Sequence, residues 1–342
     1  MVGDVVGGVR TFIVELSREL ARCGVEVHLA LLGSAAQAEP LLDLPVASLR
    51  CRPYALEWMA SPWDDVERTA DWVAELSGEL APDVLHMNTF TPVRDGSPPV
   101  LLTVHSCVLT WWRAVRGEDA PAQWARYRGL AERALERAQA VVAPSGALLS
   151  ALREVYGALP SARVIPNGSR LAPIQAGARE PLVITAGRLW DEAKNVAALA
   201  AAAPAIHSRV TLIGEGPAPG IESLGRLPHR EVLRWLRRGS VFAEPARYEP
   251  FGLAALEAAR CGCALVLGDI PSLREVWGAT AAYVPPDDPD ALAGAVNRLL
   301  EDPVARETAA ARALARSRRY TASAMGSAYQ AAMTTIVPAA VP

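Results

Sequence analysis

Short apolar runs alternate with stretches of helical periodicity over nearly the whole of this chain, and that alternation constrains its fold more than any other feature. In the first half the runs are "VEVHLALL" (25–32), "DVLHM" (83–87), "VLLTVH" (100–105), "AVVA" (140–143) and "RVIP" (163–166). The second half has "LVITAG" (182–187), "RVTLIG" (209–214), "SVFAEP" (240–245), "CALVLG" (263–268) and "AAYV" (281–284). Between them apolar side chains recur at helical spacing, as in the stripe of Val9, Phe12, Ile13, Leu16 and Leu20. Strands buried on both faces and separated by helices form parallel sheets, so the chain predicts an α/β architecture.

With 342 residues there is material for two domains, each with its own core. The segment "PNGSRLAPIQAGAREP" (166–181) is rich in Pro and Gly, lacks periodicity and separates the two strand series. It predicts an N-terminal domain over 1–172 and a C-terminal domain over 173–317, with a last helix near 318–336 packing back on the first. Two doubly wound halves facing a cleft are expected, with ligands beyond the carboxyl ends of the strands. One irregularity stands out. The Gly-rich loop "GDVVGGVR" opens the first helix, yet just Met1 and Val2 precede it. The first strand is therefore expected to be missing or truncated, and translation starting upstream is the preferred explanation, since a parallel sheet short of a strand exposes apolar surface.

A net charge of -3 gives no global pull toward nucleic acid or an anionic membrane, which directs the search for a partner to a cleft. The N-terminus lacks the basic and apolar regions of a signal peptide, and no window approaches the roughly 20 apolar residues of a bilayer span. Five scattered cysteines make a poor disulfide framework, so a reducing, cytoplasmic setting is expected. Cys261 and Cys263 lead into an apolar run and read as buried packing rather than metal ligands.

Chemistry concentrates in two loops. In "RYEPFGLAALEAA" (247–259) Glu249 precedes Pro250, Gly252 permits close approach, and a helical pattern follows that carries Glu257. Amides of Phe251, Gly252 and Leu253 at that helix start would bind an anion or a hydroxyl cluster. A capping carboxylate followed by a solvated helical Glu explains the stretch equally well. The loop "GRLWDEAKN" (187–195) tips the balance: Arg188 and Lys194 bracket it at the carboxyl end of a strand, a placement suited to gripping a diphosphate. Lys194 is the single lysine among 34 basic residues, which suggests that a compact ammonium is needed there.

Other candidates read differently. His28, His207 and His229 show no convergent partners and are taken as structural. His86 and His105 both end strands, with ligand contact expected for His105 and packing for His86. Asp288 and Asp290 precede a helical pattern and look like caps rather than a metal site. Six tryptophans, Trp58, Trp63, Trp72, Trp111, Trp112 and Trp124, fall in the N-terminal half near Arg113, Arg116, Arg126 and Arg128, where core packing competes with a role as an acceptor platform.

Taken together, "GGV" (7–9), "DVLHMN" (83–88), "TVHS" (103–106), "VIPNG" (164–168), "AGRLWDEAKN" (186–195) and "EPFGLAALEAARCGCALVLGD" (249–269) resemble the retaining nucleotide-sugar glycosyltransferases of family 4, over nearly the whole chain. The resemblance implies a GT-B fold and transfer of a sugar from a nucleotide-diphosphate donor, in UDP or GDP form, to a hydroxyl acceptor that is a saccharide, a lipid-linked group or a small molecule. It implies that Arg188 and Lys194 neutralise the departing diphosphate, Glu257 binds ribose and Glu249 lies against the donor sugar. Phe251, Gly252 and Leu253 would hold sugar and phosphate through backbone amides. His105 would lie near the anomeric carbon, and Gly7 and Gly8 would let the first helix approach the ligand. No cofactor and no metal are implied, and peripheral membrane contact is left open. The competing readings are an epimerase-like relative and a non-catalytic sugar-nucleotide sensor, the latter motivated by the missing strand.

Overall fold

The strands predicted from apolar runs all form, and the computed structural model of the protein describes them within residues 1–174, 179–217 and 220–337. Residues 175–178 of the expected linker lie outside the described residues. The chain divides into two domains, one made of Met1–Gly168 with the segment from Ala322, the other of Ser169–Thr321.

In the first domain the strands are β1 (Val2–Asp4), β2 (His28–Leu32), β3 (Ser48–Arg52), β4 (Leu85–Met87), β5 (Val100–Thr103), β6 (Ala140–Ala143) and β7 (Ala162–Val164). They form one parallel sheet in the order β3-β2-β1-β4-β5-β6-β7. A first strand is therefore present, three residues long, which corrects the missing half of the expectation that it is missing or truncated. It is short, but it occupies the middle of the sheet, with Val2 opposite both Ala30 and Met87. All three of its residues are buried, and at Gly3 a Cβ would stand 2.6 Å from Ile13 Cδ1, so a side chain there would displace the end of Ile13. Hydrogen-bonding neighbours on both edges compensate for its length. Strand β3 escaped the apolar pattern because it is a half-buried edge, where Arg50 faces outward and pairs with Glu79 at 2.5 Å.

The second domain repeats the plan with β8 (Glu180–Ala186), β9 (Arg209–Ile213), β10 (Glu222–Ser223), β11 (Gly239–Glu244), β12 (Ala264–Gly268) and β13 (Ala282–Val284), in the order β10-β9-β8-β11-β12-β13. The order in which successive strands are added across each sheet reverses beside its first strand, between β1 and β4 and between β8 and β11. Crevices at such switch points, beyond the carboxyl ends of the strands, are where doubly wound sheets bind ligands.

Cys261 and Cys263 are free and buried in the second core. Asp288 caps the helix Pro289–Glu301 by accepting from Ala291 N at 2.8 Å. Among the described residues no cluster of three or more His, Cys, Asp or Glu is placed to hold a metal, and no helix is long and apolar enough to cross a membrane.

The last helix, Ala322–Thr334, packs in the first domain against the helix Gly7–Arg22. Tyr329 is buried there, its ring edge-on to Phe12 at 5.4 Å and its hydroxyl 3.1 Å from Thr103 Oγ1. Gly326 permits this approach, since a Cβ would meet Glu19 Cβ at 2.5 Å. Gly326→Val is expected to force the two helices apart and lower stability by about 1–3 kcal/mol. Urea unfolding followed by tryptophan fluorescence checks it, and an unshifted midpoint would contradict the close packing.

Candidate active site

Strands β8 and β11 are neighbours at the switch point of the second sheet, so whatever follows their carboxyl ends must meet. Strand β8 runs into the loop Gly187–Asn195; β11 ends on Glu244 and continues to Glu249. Glycine is obligatory beside the first loop. At Gly216 a Cβ would stand 2.3 Å from Trp190 N, and at Gly214 a side chain would overlap the carbonyl of Gly187.

Asp191 organises the β8 loop from within. One of its oxygens accepts from Ala193 N at 3.0 Å; the other takes Arg188 Nη2 at 2.9 Å. The Arg188 guanidinium also lies over the Trp190 ring, 5.5 Å from its centre. Lys194 turns the other way, toward β11. Its ammonium sits 2.6 Å from Glu244 Oε1 and 2.5 Å from Glu249 Oε2. Burial works against the lysine charge, but the two carboxylates outweigh it and hold Lys194 above its ordinary range. The carboxylates part company. Burial pushes Glu244 up despite Lys194, whereas Lys194 and two backbone amides pull Glu249 below its ordinary range against the same burial.

Those amides belong to Phe251 and Gly252, which donate to Glu249 Oε1 at 3.2 and 2.8 Å. This corrects the expectation that they are free for an anion: the side chain of Glu249 already occupies them. Gly252 adopts φ 88°, which an L side chain rarely tolerates, and the helix Leu253–Arg260 follows. Glu249 thus gathers two backbone N–H groups of the turn that leads into the helix while facing the cation. Its backbone is fixed as well, because its carbonyl accepts from Ser272 Oγ at 2.5 Å.

Glu257 projects from the same helix and lies 2.8 Å from His229 Nε2. His229 was expected to lack a convergent partner, and this contact corrects that reading. His28 and His207 also have partners, Ser48 with Glu26 and Glu301 respectively, but these lie away from the predicted site residues.

In the first domain Gly7 opens the helix Gly7–Arg22 with φ 58°, next to Gly8, and Asp4 steadies the approach by accepting from Val6 N at 2.7 Å. His105 follows β5 and contacts Asn88, which follows β4, with Nε2 2.9 Å from Asn88 Oδ1. Because Asn88 donates its amide to Val2 O at 2.8 Å, its oxygen is the atom facing His105, and the imidazole must carry its proton on Nε2. Burial pushes this imidazole down to about 3, so it is neutral at working pH and Nδ1 can accept a hydroxyl hydrogen bond. His86 is fully buried, 2.8 Å from Thr103 Oγ1, and packs near Phe12 and Tyr329. Half-buried Trp111 and Trp112 meet edge-on at 5.8 Å with Arg116 over both rings, and Arg126 covers Trp63 at 4.4 Å.

Sequence reasoning missed Glu244, Asp191, Asn88 and His229. A signal existed for Glu244: a carboxylate closes the apolar run "SVFAE" at the carboxyl end of a strand, where a doubly wound sheet presents its ligand-facing residues.

Residues 6–172 match the family model Glycosyltransferase Family 4, and residues 180–302 match Glycosyl transferases group 1. The chain is similar to the D-inositol 3-phosphate glycosyltransferase of Xylanimonas cellulosilytica, with 27% identity covering 93% of this chain and 89% of that one. It is likewise similar to the alpha-maltose-1-phosphate synthase of Mycolicibacterium smegmatis, with 27% identity over 88% of each. Among solved structures, sucrose-phosphate synthase from Thermosynechococcus elongatus superposes with a TM-score of 0.80 at 20% identity, covering 98% of this chain and 99% of that one. HepE of Anabaena in complex with UDP-glucose gives 0.75 at 16% identity, with the same coverage. The fold is GT-B, two Rossmann-like domains each built on a parallel sheet.

Replacing Lys194 by Met would leave Glu244 and Glu249 buried together without their cation, an expected loss of about 3–5 kcal/mol near neutral pH. Both carboxylates would then have folded-state pKa values above their unfolded ones. Stability is then fully present below the ordinary carboxylate pKa and lost as pH rises through the raised values. Urea midpoints of Lys194→Met should therefore recover on going from about pH 8 to about pH 5. A wild-type midpoint at the higher pH would show that the lysine carries no such burden.

Proposed function

We propose that this chain, a glycosyltransferase of the family-4 type, moves a sugar from a nucleotide-diphosphate donor, in UDP or GDP form, to a hydroxyl acceptor with retention of anomeric configuration. The observation that carries the reading is the junction of Arg188, Lys194 and Glu249 with a helix start at the switch point of the second sheet. Similarity to a protein solved in complex with UDP-glucose supports the choice of donor class.

In this reading Arg188 and Lys194 meet the charge that develops on the diphosphate as its bond to the anomeric carbon breaks. Groups already oriented toward a developing charge need no reorganisation at that moment, so electrostatic stabilisation supplies most of the rate acceleration. The acceptor oxygen bonds to the same face of that carbon, and its proton passes to the departing phosphate oxygen. Glu249, held low and anchored to two amides and an ammonium, steadies the site and faces the donor sugar without serving as a nucleophile. Glu257 takes the ribose hydroxyls, with His229 fixing its carboxylate until the nucleotide arrives. Neutral His105 accepts from a donor-sugar hydroxyl through Nδ1. The sensor reading loses its motive, since strand β1 is in place.

A thermal-shift panel with UDP, GDP and ADP tests the donor. Ligand at about 100 times its Kd adds about 2.7 kcal/mol, so one nucleotide should raise Tm by several degrees and Glu257→Ala should abolish that shift. No response to any of the three would refute the donor class. Arg188→Ala is the cleaner catalytic probe because its pairing with Asp191 is more exposed than that of Lys194. It is expected to lower kcat about 10²–10³-fold with little change in Tm, measured as nucleoside-diphosphate release in the presence of acceptor. For the acceptor, Trp112→Ala should raise acceptor KM and leave donor KM unchanged; an unaltered acceptor KM would remove this ring from the acceptor site.

A further inference from the structure

Two cations of the site, Arg188 and Lys194, are matched by three carboxylates, Asp191, Glu244 and Glu249. For a grip on a diphosphate this is one negative charge too many. Two of the carboxylates have further tasks, since Asp191 caps its loop through Ala193 N and Glu249 holds the turn before a helix through Phe251 and Gly252. Glu244 has no such task among the described residues. It is 2% exposed, its Oε1 holds Lys194, and its Oε2 is buried with no hydrogen-bond partner. A buried carboxylate with an unsatisfied oxygen costs stability, and the preceding positions of β11, Val241, Phe242 and Ala243, are apolar core. The fold of the strand does not call for an acid there.

We infer that Glu244 sets how tightly the diphosphate is held: it anchors Lys194 beside Glu249 and competes with phosphate for the same ammonium, so that the nucleoside-diphosphate product leaves. This rests on the donor reading above. Like charges drawn together in a poorly solvated site repel strongly, so a phosphate arriving at Lys194 meets repulsion from the Glu244 carboxylate already paired with it. The same repulsion assists departure once the sugar has been transferred, and product departure limits turnover in many enzymes with well-developed sites. Glu244 is thus a positioning residue that acts through Lys194.

Glu244→Gln tests the idea because it keeps the shape and an acceptor oxygen for Lys194 while removing the charge. Titration calorimetry with UDP and with GDP, on the full chain at fixed ionic strength, should show the variant binding the preferred nucleotide about tenfold more tightly, a change of about 1.4 kcal/mol. Turnover should show donor KM and kcat falling together as release slows. Glu244→Asp, which restores the charge, should return the Kd toward wild type. If the Gln variant loses its cooperative melt, Glu244→Met fills the space without charge and carries the same expectation. Unchanged or weaker nucleotide binding in a variant of preserved Tm would overturn the inference, since loosening of a purely structural anchor weakens binding. Absence of binding to the wild type would overturn the donor reading and this inference with it; equal affinities would overturn this inference alone.

Discussion

The second domain's site depends on one ammonium group. Lys194 stands between Glu244 and Glu249 at hydrogen-bonding distance from both, and each partner belongs to a different piece of structure. Glu244 ends a central strand, Glu249 lies in the turn before a helix, and Lys194 closes the loop after the neighbouring strand. Two buried carboxylates in such proximity repel unless a cation lies between them, so the lysine relieves a repulsion at the point where these three elements meet. An arginine in its place would bring a planar fork in place of a compact group able to fit between two single oxygens. This gives a physical reason for one lysine in a chain otherwise supplied with arginine.

The sheets explain why these elements meet. In a parallel sheet wound both ways from a first strand, the strands on either side of that start send their following loops outward without a helix between them. In the second domain the start lies beside β11, which brings loop 187–195 to the Glu244–Glu249 segment, as the bond from Arg247 N to Ala193 O at 2.8 Å records. In the first domain the equivalent position lies between β1 and β4, where Asn88 donates to Val2 O and holds His105 through its side-chain oxygen. The same topology yields opposite chemistry: a charged junction in one domain and a neutral, hydrogen-bonded one in the other.

Much of this was legible in the sequence, and what was not has specific physical causes. Strands buried on both faces leave apolar runs, so β2, β5, β6, β8, β9, β11 and β12 could be read directly. Strand β1 could not, because three residues between two partners carry no run long enough to see, and β3 and β10 are edges with mixed side chains. Glu249, Arg188 and Lys194 stood out because turn residues and strand ends frame them. What the sequence could not supply was pairing. Occupation of the Phe251 and Gly252 amides by Glu249 is local in sequence, but it depends on the left-handed turn at Gly252. The Lys194–Glu244 and His229–Glu257 contacts join residues dozens of positions apart, and periodicity carries no information at that distance.

The return of the last helix to the first domain has a consequence for how the protein is made. The second domain is one uninterrupted segment, Ser169–Thr321, closed at its base by a bridge between those two residues and by the bond from Ser169 N to Tyr320 O at 3.0 Å. Every residue of its sheet and core has been synthesised before Tyr329 is added. The first domain begins earlier but must wait for Met325 and Tyr329 to complete the surface of its opening helix. Domains generally fold as units as they are synthesised. Here the domain that starts first finishes last, holding an apolar groove open through translation of its neighbour.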